Sequence, residues 1–195
     1  GSGKTSILEA VSYLAVARSL RGASDGEVIA WGSQESGVSG DIVTEGSART
    51  TTLRFGRGGS KDVVVDGEKL ARLSDLVGLI RAAWFCPEDT WLTKGGPAER
   101  RKFIDLTLCQ LDSRYLDALS GYRRALRQRN EALMSWAPDD ESERLLEVWT
   151  ERLIGYGTRV MAGRLRLMPA LRDAVSRYHS AIAGEGTLGI GYRGS

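Results

Sequence analysis

Apolar residues Ile7, Leu8, Val11, Leu14 and Ala15 recur three and four apart, with Glu9 and Arg18 elsewhere around the axis. That spacing predicts a helix over 6–20. From Gly22 the period shortens to two. The runs "GVSGDIVTEG", "ARTTTLRFG" and "KDVVVDG" alternate or are β-branched, and Gly and Asp separate them. They predict a small antiparallel meander, with Val65-Asp66-Gly67 as a tight turn. "RLSDLVGLI" (72–80) predicts a short helix with Ser74 or Asp75 near its start. "AAWFC" (82–86) is an apolar run expected as a buried strand, stopped by Pro87.

Beyond Ala98 the helical period returns and persists. Ile104, Leu108, Leu111, Tyr115, Leu119, Tyr122 and Leu126 step by three and four up to about Trp136, with almost no turn chemistry between them. "APDDESE" (137–143) is the expected turn, its acids suited to the positive end of a following helix. Trp149, Leu153, Tyr156, Val160, Leu167, Leu171, Val175, Tyr178 and Ile182 then form a near-heptad seam. Pro169 is expected to kink or break it. Two long helices joined by a short turn make an antiparallel hairpin. "TLGIGYR" (187–193) is expected to begin a further strand. Chain order thus predicts an α/β fold in three parts: a helix, meander and buried strand over 1–97, a helical hairpin over 98–184, and a return strand beginning over 185–195. The chain is expected to be an internal fragment, cut at both ends.

Composition changes this picture little. The 195 residues are 42% hydrophobic and 27% charged, with a formal net charge of +2. A nucleic-acid contact must therefore come from a local patch. Cys86, Cys109 and the single His179 have neither metal-site spacing nor a disulfide framework, so buried free thiols in a reducing compartment, the cytoplasm, are expected. No apolar run reaches the roughly 18 residues a membrane span needs. The five tryptophans are scattered over different elements, which argues for packing rather than a base-stacking platform.

The chain opens on "GSGKTSILEA". Its first residues match the end of a phosphate-binding loop, GxxxxGK[ST], immediately before a predicted helix. Such a loop turns backbone N–H groups onto phosphates at a helix N-terminus. Gly1 and Gly3, with Ser2 between them, take the close-approach positions. Lys4 is the phosphate lysine, Thr5 the Mg²⁺ ligand, and Ser6 a further hydroxyl for the α-phosphate. No apolar strand ending in Asp-Glu follows, so the fragment alone is not expected to hydrolyse ATP.

Three tracts carry a resemblance: "GKTSILEAVSYLAVARSLRG", "FCPEDTWLTKGGPAERRKFID" (85–105) and "YLDALSGYRRALRQRN" (115–130). In this order, and over nearly the whole chain, they closely resemble the RecF family of SMC/ABC-like P-loop ATPases. In that class a helical insertion splits the nucleotide-binding head. The resemblance implies ATP and Mg²⁺ as cofactors, held by Gly1, Ser2, Gly3, Lys4, Thr5 and Ser6. It also implies an ATP-dependent homodimer, DNA binding at gaps or single-strand/double-strand junctions, and recombinase loading with RecO and RecR. Lys4, and Glu88 at the junction before the helical insertion, are the catalytic candidates. For Glu88, a Mg²⁺-sensing role and a turn-capping acid after Pro87 both stand. Arg100 and Arg101, with Lys102, and the cluster Arg123, Arg124 and Arg127, with Arg129, are candidate DNA contacts. The alternative is a solvated helix face balanced by acids. Arg18 and Arg21 read as cations at a helix C-terminus or as further phosphate contacts. The rival readings are another SMC/ABC-like P-loop ATPase, a non-enzymatic helical interaction module, and another P-loop enzyme such as a nucleotide kinase, which leaves the Gly-Gly-Pro…Arg-Arg string unexplained.

Overall fold

The computed structural model describes residues 3–44, 46–85 and 87–194. Helix α1 spans Lys4–Val16 and stops four residues short of expectation. Ala17 takes a left-handed conformation (φ 53°), and its N–H donates to the Tyr13 carbonyl. Two side chains hold the chain as it leaves: Ser12 Oγ donates to the Arg18 carbonyl (2.8 Å) and Lys61 Nζ to the Ala17 carbonyl (2.6 Å). Only the last turns of α1 are covered. Ser12–Val16 are buried, while Ile7, Leu8 and Val11 remain exposed. A short helix, α2 (Asp25–Val28), follows and begins on a Ser24/Glu27 capping box.

The expected meander is present. Strands β1 (Glu35–Thr44), β2 (Ser47–Gly56), β3 (Lys61–Val65) and β4 (Glu68–Lys69) pair antiparallel in chain order. The β1–β2 register runs unbroken from Glu35↔Gly56 to Thr44↔Ser47. Asp66 and Gly67 both have positive φ (51° and 85°), the conformation that tight hairpin turns require and Asp-Gly supplies. Along β2 the buried residues Thr51, Leu53 and Phe55 alternate, and Leu53 and Phe55 pack with Tyr13, Ala17, Ile29, Val63, Val65 and Leu76 into one core. Tyr13 stacks on Phe55 with ring centroids 4.4 Å apart.

The next two expectations fail. Residues 72–80 hold a single 3₁₀ turn, Leu73–Asp75, rather than a helix. The chain then opens at Gly78 (φ 98°), which approaches the carbonyl of Gln110 so closely that a Cβ would lie 3.1 Å from it. Residues 81–85 carry no regular secondary structure and have no ladder partner among the described residues, and Phe85 is 84% exposed. An apolar run becomes a buried strand only where neighbouring strands accept its hydrogen bonds. Here the Ala82 N–H anchors the run, donating to Gln110 Oε1 at 2.9 Å.

A 3₁₀ turn (Pro87–Thr90) and a one-turn helix α3 (Trp91–Lys94) lead to α4 (Pro97–Leu111), α5 (Ser113–Met134) and α6 (Asp140–Ala183). The single helix expected over 98–136 is therefore two, parted at Asp112 beside Ser113, residue types that favour helix ends over interiors. Asp139 caps α6, its carboxylate accepting from the Ser142 N–H at 2.7 Å. Pro169 neither ends nor breaks α6. The carbonyl it cannot serve belongs to Leu165, itself half exposed, where water can satisfy it. Residues 184–194 form no strand. They follow α6, with Arg172 Nε donating to the Ile190 carbonyl at 3.2 Å. Two compact units result: Gly1–Arg100 with Cys109–Ser113, and Arg101–Leu108 with Arg114–Ser195. No described helix is long and apolar enough to cross a membrane.

Candidate phosphate-binding site and arginine ridge

Gly3 is the N-cap of α1, in a left-handed conformation (φ 73°, ψ −1°) with nothing within 4 Å of where a Cβ would stand. Glycine adopts that turn without strain and leaves the helix end open. The first described backbone bond of α1 runs from the Ile7 N–H to the Gly3 carbonyl (3.1 Å). The N–H groups of Lys4, Thr5 and Ser6 thus lie in the helix's first turn, where no preceding turn can accept from them. Among the described residues no side chain caps them, and no acid stands in the first turn. Lys4, Thr5 and Ser6 are all exposed. First-turn N–H donors, the positive end of a 13-residue helix and a lysine together suit a phosphate group. Gly1 and Ser2 lie outside the described residues.

One turn below Thr5, Glu9 accepts a short hydrogen bond from Ser19 Oγ, and that hydroxyl in turn accepts from the Arg21 N–H (3.1 Å). The second carboxylate oxygen of Glu9 is buried without a partner among the described residues. Arg18 and Arg21 lie beyond the last turn of α1, so neither is a cation within that helix terminus. Near them, Tyr13 Oη donates to Asp25 (2.9 Å), and Asp25 pairs with Lys61 (2.9 Å). Burial, then the hydrogen bond to Asp25 and its charge, push the Tyr13 phenol well above the usual range.

Glu88 lies in the 3₁₀ turn Pro87–Thr90, where Thr90 Oγ1 donates to the Pro87 carbonyl. The Glu88 side chain and Cys86 lie outside the described residues. Cys109 is buried and forms no disulfide. Arg100 and Arg101 are exposed in the first turns of α4, and Arg100 donates a long bond to the Leu92 carbonyl (3.4 Å).

Arg123, Arg124 and Arg127 come together on α5. All three are exposed, on the side of the helix away from its buried residues Tyr115, Ala118, Leu119, Ala125 and Ala132. None has an ion-pair partner among the described residues. Glu131, the one acid a turn from Arg127, instead accepts from Gln128 Nε2 at 2.6 Å. The face is not balanced by acids. Arg129 differs: it is half-buried and donates to Thr150 Oγ1 (3.0 Å).

Sequence reasoning missed a buried network in the second unit. Arg164 grips Asp105 with two parallel bonds, Nε to Oδ1 and Nη2 to Oδ2, each 2.9 Å. Tyr115 Oη donates to the same carboxylate, and Arg164 Nη1 reaches Tyr192 Oη (3.4 Å). Burial, the Asp105 hydrogen bond and the Asp105 charge raise the Tyr115 phenol above the usual range, with Arg164 offsetting part of the rise. For Arg164, burial disfavours the charge, but Asp105 and Tyr192 outweigh it and hold the guanidinium protonated more firmly than usual.

An antiparallel meander packed on the helix that follows a phosphate loop, followed in turn by a helical hairpin, is a portion of an SMC/ABC-like P-loop ATPase head. Two solved structures have this fold: the recombination mediator protein RecF with ATPrS and the same protein with ATP, both of the RecFOR pathway. Each superposes with a TM-score of 0.87, at 28% and 29% identity, over 95% and 94% of this chain and 50% and 49% of theirs. No family model matches. The DNA replication and repair protein RecF of Chlorobium luteolum is 36% identical over 197 aligned residues, covering 100% of this chain and 53% of that protein. The RecF of Salinibacter ruber is 38% identical over 93% of this chain and 45% of its own length. The chain is similar to RecF proteins over nearly its whole length. It spans about half the length of the curated relatives it matches.

Proposed function

We propose that the protein containing this chain binds ATP with Mg²⁺ and serves DNA replication and recombinational repair in the cytoplasm. The open first turn of α1 carries the reading: three N–H groups that no described side chain caps, a left-handed Gly3, and Lys4 beside them with no acid in the first turn. Gly1, Ser2 and Gly3 would wrap the phosphates, Lys4 would neutralise their charge, and Ser6 would add a hydroxyl. Thr5 would hold the Mg²⁺, which when bound offsets charge on the transferred phosphoryl group. Glu88 is the candidate for sensing that site. The whole protein then acts as a weak, DNA-linked ATPase and an ATP-dependent homodimer.

DNA is held at Arg123, Arg124 and Arg127, with Arg100 and Arg101 as further candidates. Unpaired guanidiniums neutralise phosphates without reading bases, which suits recognition of a gap or junction. RecO- and RecR-type mediators are the protein partners, a reading supported by the relatives' place in a RecFOR pathway. The test compares duplex binding by the full-length protein with and without Mg·ATP. ATP should tighten binding, and Lys4→Ala should remove that gain while leaving the ATP-free affinity in place. Equal affinity with and without ATP in the unaltered protein would refute the linkage.

A further inference from the structure

Neither the phosphate loop nor the α5 ridge accounts for a third set of arginines. Arg152, Arg159 and Arg166 follow one another along α6 at intervals of seven residues, and all three are exposed. Seven residues advance a helix by about 10.5 Å and return to within about 20° of the same direction. The three guanidiniums therefore form one row about 21 Å long. No acid stands three or four residues from any of them, the positions from which a helix neutralises its own cations. None has an ion-pair partner among the described residues.

Instead, the first two rest on aromatic rings. Arg152 Cζ lies 5.1 Å from the centroid of Trp149, and Arg159 Cζ 5.8 Å from that of Tyr156. The Tyr156 ring is itself wedged against α5, where a Cβ at Gly121 would fall 2.5 Å from it. Stacking of this kind orients a guanidinium while its charge and N–H edges stay available. The row is also uncovered by the end of the chain. Met161 and Arg172, which meet Gly194 and the Ile190 carbonyl, lie on the other side of α6.

We propose that this row is a second contact line for the phosphate backbone of nucleic acid. The proposal rests on the DNA reading above, because it takes the same class of ligand at a different place. Regular spacing favours nucleic acid over an acidic protein segment. A duplex strand carries a phosphate every 3.4 Å along its axis, so successive arginines are about three base steps apart. A guanidinium fork also binds phosphate oxygens in pairs.

The test is fluorescence anisotropy of a labelled duplex with the full-length protein over a range of salt concentrations. One variant carries Arg152→Gln, Arg159→Gln and Arg166→Gln; another carries Arg123→Gln, Arg124→Gln and Arg127→Gln. The α6 variant should flatten the slope of log affinity against log salt by about 2 to 3, equally for two unrelated sequences. Circular dichroism and the thermal midpoint check that it folds. If they fall, Arg166→Gln, which disturbs no stacked ring, is read instead, with an expected change of about 0.9. A wild-type slope in the α6 variant beside a flattened one in the α5 variant would overturn this inference and leave the DNA reading standing. The row would then face solvent or an acidic protein. No salt-dependent binding by the unaltered protein would remove both.

Discussion

Asp105 and Arg164 lie 59 residues apart in the chain, yet each is the other's principal partner. Their side chains are only 8% and 13% exposed. A charge left alone there has little water to fall back on, so removing one partner is costly, about 3 to 5 kcal/mol. Arg164→Met should lower the urea midpoint accordingly, and adding Asp105→Leu should recover much of the loss. A second consequence concerns pH. Tyr115 and Tyr13 both have phenols raised in the folded state. A raised group contributes stability that is complete below its unfolded pKa, near 10 for tyrosine, and is lost as pH rises through the folded value. Stability should therefore decline above about pH 10, and less steeply in Tyr115→Phe. Ultraviolet titration of the phenols would show two groups ionising late. A titration in which all tyrosines ionise together would contradict this. At this scale the sequence is uneven in what it discloses. Lys4 and Thr5 stand out as candidates because their motif is contiguous. The Asp105–Arg164 pair was not, because its partners share no local pattern; the one signal was an acid beside Ile104 in an apolar stripe.

Helix α5 meets α6 through glycines, and these decide how closely the two can approach. A Cβ at Gly163 would fall 2.5 Å from the Tyr115 ring, in a buried position. Gly163→Ala should cost about 1 to 3 kcal/mol through overpacking. Gly155 lies on the same helix with nothing within 4 Å, so Gly155→Ala should stabilise by about 0.5 to 1 kcal/mol. Opposite shifts in thermal midpoint would verify the packing; equal shifts would refute it. Element types followed from hydrophobic period for α1, the meander and the hairpin, since local spacing decides which face is apolar. Three expectations failed where the deciding contact is distant. Residues 82–85 and 187–193 have strand-like composition but no described strand beside them. The break at Asp112 fell inside an uninterrupted helical period, which carries no record of where one axis ends and the next begins.

Across the molecule, the two compact units carry different kinds of chemistry. The first holds the candidate phosphate site at one end of α1, with the apolar side chains Ile7, Leu8 and Val11 exposed beside it. The second holds two sets of arginines unbalanced by acids, on α5 and α6. Family and fold were legible because the phosphate loop, the Gly-Gly-Pro…Arg-Arg string and the hairpin occur in a fixed order. The α6 row was not, because its arginines are single residues inside a heptad pattern that reads as packing. The central claim is that the open turn at Gly3 is an ATP site, and calorimetric titration of the full-length protein with Mg·ATP tests it most directly. The account expects saturable, Mg²⁺-dependent binding that Lys4→Ala abolishes and Thr5→Ala weakens mainly through loss of its Mg²⁺ dependence. Binding of ATP that is indifferent to Lys4 would contradict it.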